Sequence, residues 1–202
     1  PDGSSSPSGN VLIWSGEDDP KDTLVPRLIA SGGDLTRVFF VGDVVDHGMR
    51  RCFDPAIHME PLMEAIQQIG GIRLLVIDPI VSVVQGDSHK NAEVRRGLEP
   101  LVQFGNEIGC AVLGITHFSK GTGGKDPVER ISGSIAFGAL ARIVYVTAKL
   151  SKEDQQHGGS RIICRSKSNI GPDEGGYRYD LKQSELDDYP DITASKVVWG
   201  KP

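Results

Sequence analysis

Residues 73–79 read Arg-Leu-Leu-Val-Ile-Asp-Pro, four apolar side chains in a row closed by a single carboxylate, Asp78. A strand wetted on one face alternates apolar with polar, so this unbroken run describes a parallel strand buried on both faces, with Asp78 at its carboxyl end. That end is where open α/β sheets place their ligands. Asp before Pro also starts helices well, so the meaning of Asp78 depends on its neighbours.

Two other apolar runs end in the same way. Residues 11–15, Val-Leu-Ile-Trp-Ser, deliver Gly16, Glu17, Asp18 and Asp19. Residues 110–116, Cys-Ala-Val-Leu-Gly-Ile-Thr, deliver His117, followed by Phe118, Ser119 and Lys120. Glu17, Asp78 and His117 are therefore expected at one sheet edge. A general base, a metal-binding carboxylate and a phosphate sensor are the parts that phosphoryl transfer needs besides a phosphate-binding loop. An acidic first turn also suits a helix dipole, and a lone histidine is more often structural. Their joint arrival at three strand ends favours a site.

Residues 14–20, 73–79 and 112–120 together resemble the RecA-like ATPases, most closely the RepA-type hexameric helicase branch. Residues 165–172, Arg-Ser-Lys-Ser-Asn-Ile-Gly-Pro, resemble the Lys-x-Asn-x-Gly segment of that branch. The resemblance covers about residues 10–169 and rests on the order and spacing of its motifs. It implies that Glu17 activates the attacking water, Asp78 holds magnesium and His117 senses the γ-phosphate of ATP. It implies that Lys167 and Asn169 belong to the nucleotide site, and that Arg142 reaches across a subunit interface to a neighbour's ATP. Such an arginine neutralises charge on the transferring phosphate. It further implies a ring of identical subunits acting on DNA, in replication, recombination or repair.

No Gly-x-x-x-x-Gly-Lys-Ser/Thr occurs in the 202 residues; Gly124-Lys125 and Gly200-Lys201 lack both the spacing and the hydroxyl. In the family that loop lies one strand and one helix before the Glu17 strand, where here only residues 1–9 stand, a Pro/Gly/Ser-rich linker. The chain thus reads as residues 10–202 of a RecA-like core without its phosphate-binding strand and helix, a piece expected to bind nucleotide poorly by itself. The neighbours of that strand are expected to lose a partner.

Composition agrees with one soluble α/β domain: 38% hydrophobic, 24% charged and 25 glycines that predict many loops. No run is long enough for a membrane helix and no signal peptide is visible. Cys52, Cys110 and Cys164 are odd in number and lack metal-type spacing, which suggests reduced thiols in a cytoplasm. The net charge of −5 excludes a globally basic nucleic-acid binder, but the cations cluster. In RecA-like rings the loops at 85–90 and 119–130 contact single-stranded DNA, which makes Lys90, Lys120, Lys125 and Arg130 the candidate contacts. Lysines on a glycine-rich loop can follow a phosphate backbone without reading sequence.

Along the chain, helices are expected at 21–30, 62–69 and 92–108, with Pro26, Gly97 and Pro100 awkward for continuity. A short strand at 38–41 and a polar loop at 42–54 separate the first two. After a short helix at 132–140 the pattern changes to strands at 143–148, 161–165, 177–182 and 196–199. The expected fold is α/β, a RecA-like mixed and mostly parallel sheet flanked by helices, ending in an antiparallel meander within the same sheet.

Two other readings compete. A RecA-like module could assemble or bind partners without turnover. Residues 42–48, Gly-Asp-Val-Val-Asp-His-Gly, match the Gly-Asp-x-x-Asp-x-Gly pattern of binuclear metallophosphoesterases, with Asp43 and Asp46 as bridging acids. That family also needs an upstream Asp-x-His and a downstream Gly-Asn-His-Asp/Glu, and both are missing. A glycine-bounded turn explains the pattern as well. Ser134 and His117 make no hydrolase triad, since residues 132–134 lack the flanks of a nucleophile elbow.

Overall fold

The 73–79 run forms β5 (Ile72–Asp78), in the centre of a four-stranded parallel sheet. The order is β2 (Val38–Phe40), β1 (Asn10–Ser15), β5 and β6 (Ala111–Gly114). The computed structural model describes residues 3, 5–121, 123–124, 126–131 and 134–200. In register, Leu12 lies beside Leu75 and Trp14 beside Ile77, so all four share one face. That face is buried with α2 (Met59–Ile69) and α3 (Asn91–Ile108) through Leu62, Ile66, Val94, Leu98, Leu101 and Phe104. Both helices repeat apolar residues at three- and four-residue intervals, the spacing that lays one stripe on a sheet.

The other face is less covered. Ile13 and Val76 are half-buried beside Leu24 and Leu28, while Leu113 and Ile115 are 44% and 36% exposed. Leu24 and Leu28 come from a π-helical turn (Pro20–Leu24) and α1 (Val25–Ala30), two pieces where one helix is expected. Pro26 explains the division. It has no N–H to continue the ladder from the preceding turn, but fits without cost in the first turn of a new helix.

The second half is an antiparallel sheet in the order β10 (Tyr189–Trp199), β9 (Gly176–Leu186), β8 (Arg161–Ser168) and β7 (Ile143–Lys149). It follows the short α4 (Ala136–Leu140), and its β9–β10 end packs against α1. The α/β architecture is the expected one, a helix-flanked parallel sheet followed by an antiparallel meander. The single mixed sheet is not. Among the described residues β6 pairs only with β5 and β7 only with β8, so the ladder divides between them. No strand of these residues fills the place beside β6, and all four residues of β6 are exposed.

Three local differences have physical causes. Residues 42–54 contain a hairpin, β3 (Val44–Asp46) and β4 (Met49–Arg51), whose two-residue turn puts His47 at φ 48° and Gly48 at φ 76°. Positive φ at both central residues is the signature of the tight turn whose twist suits a hairpin. The strands β9 and β10 extend well past their predicted ends because the acids at 185–191 flank a two-residue turn at Asp187-Asp188 and conceal the alternation. Helix α3 runs unbroken through Gly97 and Pro100. Gly97 is there for packing: a β-carbon would meet the Val83 carbonyl oxygen at 2.8 Å. Gly97→Ala is therefore expected to cost about 1–3 kcal/mol, the usual penalty of overpacking, despite alanine's better helix propensity. Urea unfolding with an unchanged slope checks it. No helix among the described residues is long and apolar enough to cross a membrane.

Candidate active site

The strand ends bring three of the predicted residues together. β1 stops at Ser15, and the Gly16 N–H donates to the Asp78 carbonyl at 2.7 Å, fixing the turn that carries Glu17 against the end of β5. A β-carbon on Gly16 would strike the Trp14 ring at 2.8 Å, so this turn requires glycine. Past β6, Ile115 N–H donates to Ile77 O at 2.9 Å and accepts at its own carbonyl from Ile80 N–H at 2.8 Å. That places His117 across from Glu17, with Nε2 at 3.2 Å from Oε2. Both side chains remain open to solvent, at 71% and 48% exposure.

Asp78 lies deeper. Its Oδ1 is buried and has no hydrogen-bond partner among the described residues. Burial pushes its carboxyl above the ordinary range, the Glu17 and Asp18 charges push the same way, and His117 opposes them. A buried carboxylate oxygen without a donor suits a cation, and an unpaired one is costly. Stability follows from the sign. A carboxylic acid whose folded pKa is raised destabilises the fold in its charged form, an effect complete above the folded pKa and gone below the unfolded value near 3.8. Asp78→Asn is accordingly expected to raise the unfolding temperature at neutral pH, with the gap from wild type closing as pH falls toward 4. Thermal melts across that range check it; a constant gap would mean that charge is not the cause.

A cavity of about 260 Å³ opens beside Asp78, between α1 and the strand ends, lined by Ser15, Arg27, Leu28, Val76 and Ile115 among others. Arg27 was not legible as a site residue. It reaches the edge by an ion pair of 2.9 Å with Asp18, a pairing that spans nine residues and has no local sequence signal.

The remaining candidates lie apart. Arg142 is exposed ahead of β7, and its side chain has no partner among the described residues; its carbonyl accepts from Asn169 N–H at 2.8 Å. Lys167 Nζ donates to the carbonyls of Gly138, Ala139 and Ala141 at 3.0, 2.8 and 2.9 Å, closing the end of α4. Asn169 is exposed just beyond β8. In the loops, Lys90 pairs with Glu93 at 3.3 Å and Lys120 is exposed. The Arg130 guanidinium sits 4.1 Å over the Phe118 ring, where Ser119 N–H meets Arg130 O at 2.8 Å. Arg130 thus pins the neck of its loop. Lys125 lies outside the described residues. Asp43, of the competing metallophosphoesterase pattern, is spent on an ion pair with Arg50 at 3.2 Å on the hairpin. No group of three or more His, Cys, Asp or Glu among the described residues is placed to hold a metal.

A parallel sheet with helices on it and acids at its carboxyl edge is the form in which open α/β proteins place their ligands. The AAA domain family matches residues 3–123, more than half of the chain, and the protein belongs to that family. Comparison with curated proteins returns no match. Among solved structures, the fold is similar to a KaiC-like protein from the hyperthermophilic archaeon Pyrococcus horikoshii, with 18% identity and a TM-score of 0.51. That likeness covers 93% of this chain and 76% of the other.

Proposed function

We propose that the chain is the catalytic part of an ATPase that hydrolyses ATP with magnesium and acts on DNA, in the manner of the RepA-type helicases. The observation that carries the reading is the convergence of Glu17, Asp78 and His117 at one sheet edge. Glu17 is exposed enough to take a proton from water attacking the γ-phosphorus, while the bond to the leaving β-phosphate oxygen breaks. His117 holds the Glu17 carboxylate through Nε2. A phosphate oxygen taking that ring nitrogen would leave Glu17 free for the water. Magnesium is bound in such sites through one carboxylate, phosphates and water, and the orphaned Oδ1 of Asp78 fits that demand. When bound, the ion neutralises charge on the phosphates.

The phosphate-binding loop has no counterpart in these 202 residues. The open edge of β6 and the half-exposed apolar face beside it suit a strand followed by a helix, the form in which RecA-like ATPases carry that loop. Arg142, exposed and without a side-chain partner among the described residues, would act on a neighbouring subunit's nucleotide, and the exposed Lys120 would meet single-stranded DNA. The test is phosphate release by the full-length protein, with and without magnesium and single-stranded DNA. Magnesium-dependent turnover raised by DNA is expected. Nucleotide binding without turnover would instead make this an assembly module.

A further inference from the structure

The antiparallel sheet has two unlike faces. Residues directly opposite in an antiparallel ladder share a face, and the register sets Lys149, Arg161, Tyr179 and Trp199 in one row across all four strands. Ile163 with Tyr177, and Tyr145 with Arg165, continue the same face on one side of that row, and Leu181 with Val197 on the other. Successive rows lie about 7 Å apart. The opposite face holds the buried Val146, Leu186 and Ala194.

The first face is aromatic, open along its outer strands, with Arg161, Arg165, Tyr177 and Tyr179 half-buried between them. Tyr145 is 56% and Trp199 45% exposed, and the Trp199 ring lies 5.8 Å from Tyr179 and 6.1 Å from Tyr177. It is also cationic. Lys149 stands directly opposite Arg161, a like-charge pairing that costs stability unless an anion covers it. None of Lys149, Arg161 and Arg165 has an ion-pair partner among the described residues. Arg161 donates to Ser160 Oγ at 3.2 Å, and Arg165 to the Pro172 carbonyl. Asp180 projects from the opposite face and accepts from both Ser160 N–H and Oγ; through that shared hydroxyl it lies near Arg161, whose charge adds to these hydrogen bonds in lowering its carboxyl, so Lys149 and Arg165 are the cations farther from an acid. Glu185 shares the face but stands at the far end of β9.

We infer that this face binds single-stranded nucleic acid, with bases stacked on Trp199, Tyr179 and Tyr145 and phosphates taken by Lys149, Arg161 and Arg165. Unpaired bases offer a π-face whatever their identity, whereas duplex bases are already stacked, so exposed rings beside unpaired cations select a single strand without reading its sequence. The surface is separate from the loops after β5 and β6. It goes beyond the ATPase reading, because binding here needs neither ATP nor magnesium.

Tryptophan emission tests it directly, in the absence of nucleotide. The other tryptophan of these residues, Trp14, is buried, so quenching that disappears in a Trp199→Phe variant belongs to Trp199. A short oligothymidylate is expected to quench wild type well beyond the same length of duplex, with an affinity that falls steeply with salt. In anisotropy titrations with the labelled oligonucleotide, Tyr179→Ala with Trp199→Ala should weaken binding about tenfold or more, and Trp199→Phe should keep most of it. Lys149→Glu with Arg161→Glu should lower the slope of log affinity against log salt by about two. Unchanged Trp199 emission at saturating oligonucleotide overturns the inference, whatever the variants do. So does a Lys149→Glu, Arg161→Glu protein that binds oligonucleotide normally but sediments as a smaller assembly, which would make the face a contact between copies. Neither result bears on phosphate release.

Discussion

Replacing Arg142 with alanine is expected to lower turnover of the full-length protein by about a thousandfold or more while nucleotide affinity changes little. An arginine acting on a neighbour's phosphates contributes 10³–10⁵ to kcat in related chemistry, about 4 kcal/mol or more of barrier. The effect falls on kcat because the guanidinium meets charge that builds in the transition state. That role requires an open guanidinium, and Arg142 is exposed ahead of β7 with a side chain unpaired among the described residues. Mixing Arg142→Ala subunits with Asp78→Ala subunits should restore part of the activity, since a mixed interface can join one sound site to one sound arginine. Steady-state phosphate release before and after mixing decides it. Failure of rescue, with both variants folded and assembled, would make Arg142 an ordinary surface cation.

Glu17→Gln is the second large effect. A positioned general base contributes about 10²–10⁴ to the rate, so loss of basicity should slow hydrolysis by that much. Glutamine can still accept from His117 Nε2, where the carboxylate now lies at 3.2 Å, so the edge should keep its geometry and bind nucleotide as before. Single-turnover hydrolysis, set beside equilibrium binding of a fluorescent ATP analogue, separates the two quantities. Equal losses in binding and rate would mean that Glu17 shapes the pocket and does not activate water.

The parts of this arrangement that were readable in the sequence are those fixed by local chemistry. A parallel strand declares itself by an unbroken apolar run, and its last polar residue must emerge at the sheet edge. Glu17, Asp78 and His117 followed from three such runs without any knowledge of strand order. The parts that were not readable depend on partners distant in sequence. Arg27 joins the edge through Asp18, nine residues earlier and beyond a separate helical turn. Gly97 resembled a weakness in a helix until the Val83 carbonyl appeared against it. The hairpin at 42–54 was concealed by its brevity, since strands of three residues, Val44–Asp46 and Met49–Arg51, are too short to show a period. Arg130 looked like a free cation on a glycine-rich loop, and its stacking on Phe118 depends on residues meeting across the loop's neck. The division of the sheet could be anticipated as a lost partner for β6, but not as two separate ladders.

The ammonium of Lys167 links the second sheet to the backbone that leads into Arg142. It gathers three carbonyls at the end of α4, and two residues later the Asn169 N–H holds the carbonyl of Arg142. The tail of β8 is therefore a rigid strut with two fastenings, one on the helix before Arg142 and one on Arg142 itself. Its far side continues into the exposed segment at 169–175, which links β8 to β9. That segment is tied to Arg165 through the carbonyls of Pro172 and Gly175, and to Arg142 through the Asn169 N–H. Strain in this sheet would therefore be felt at the backbone that carries the Arg142 guanidinium.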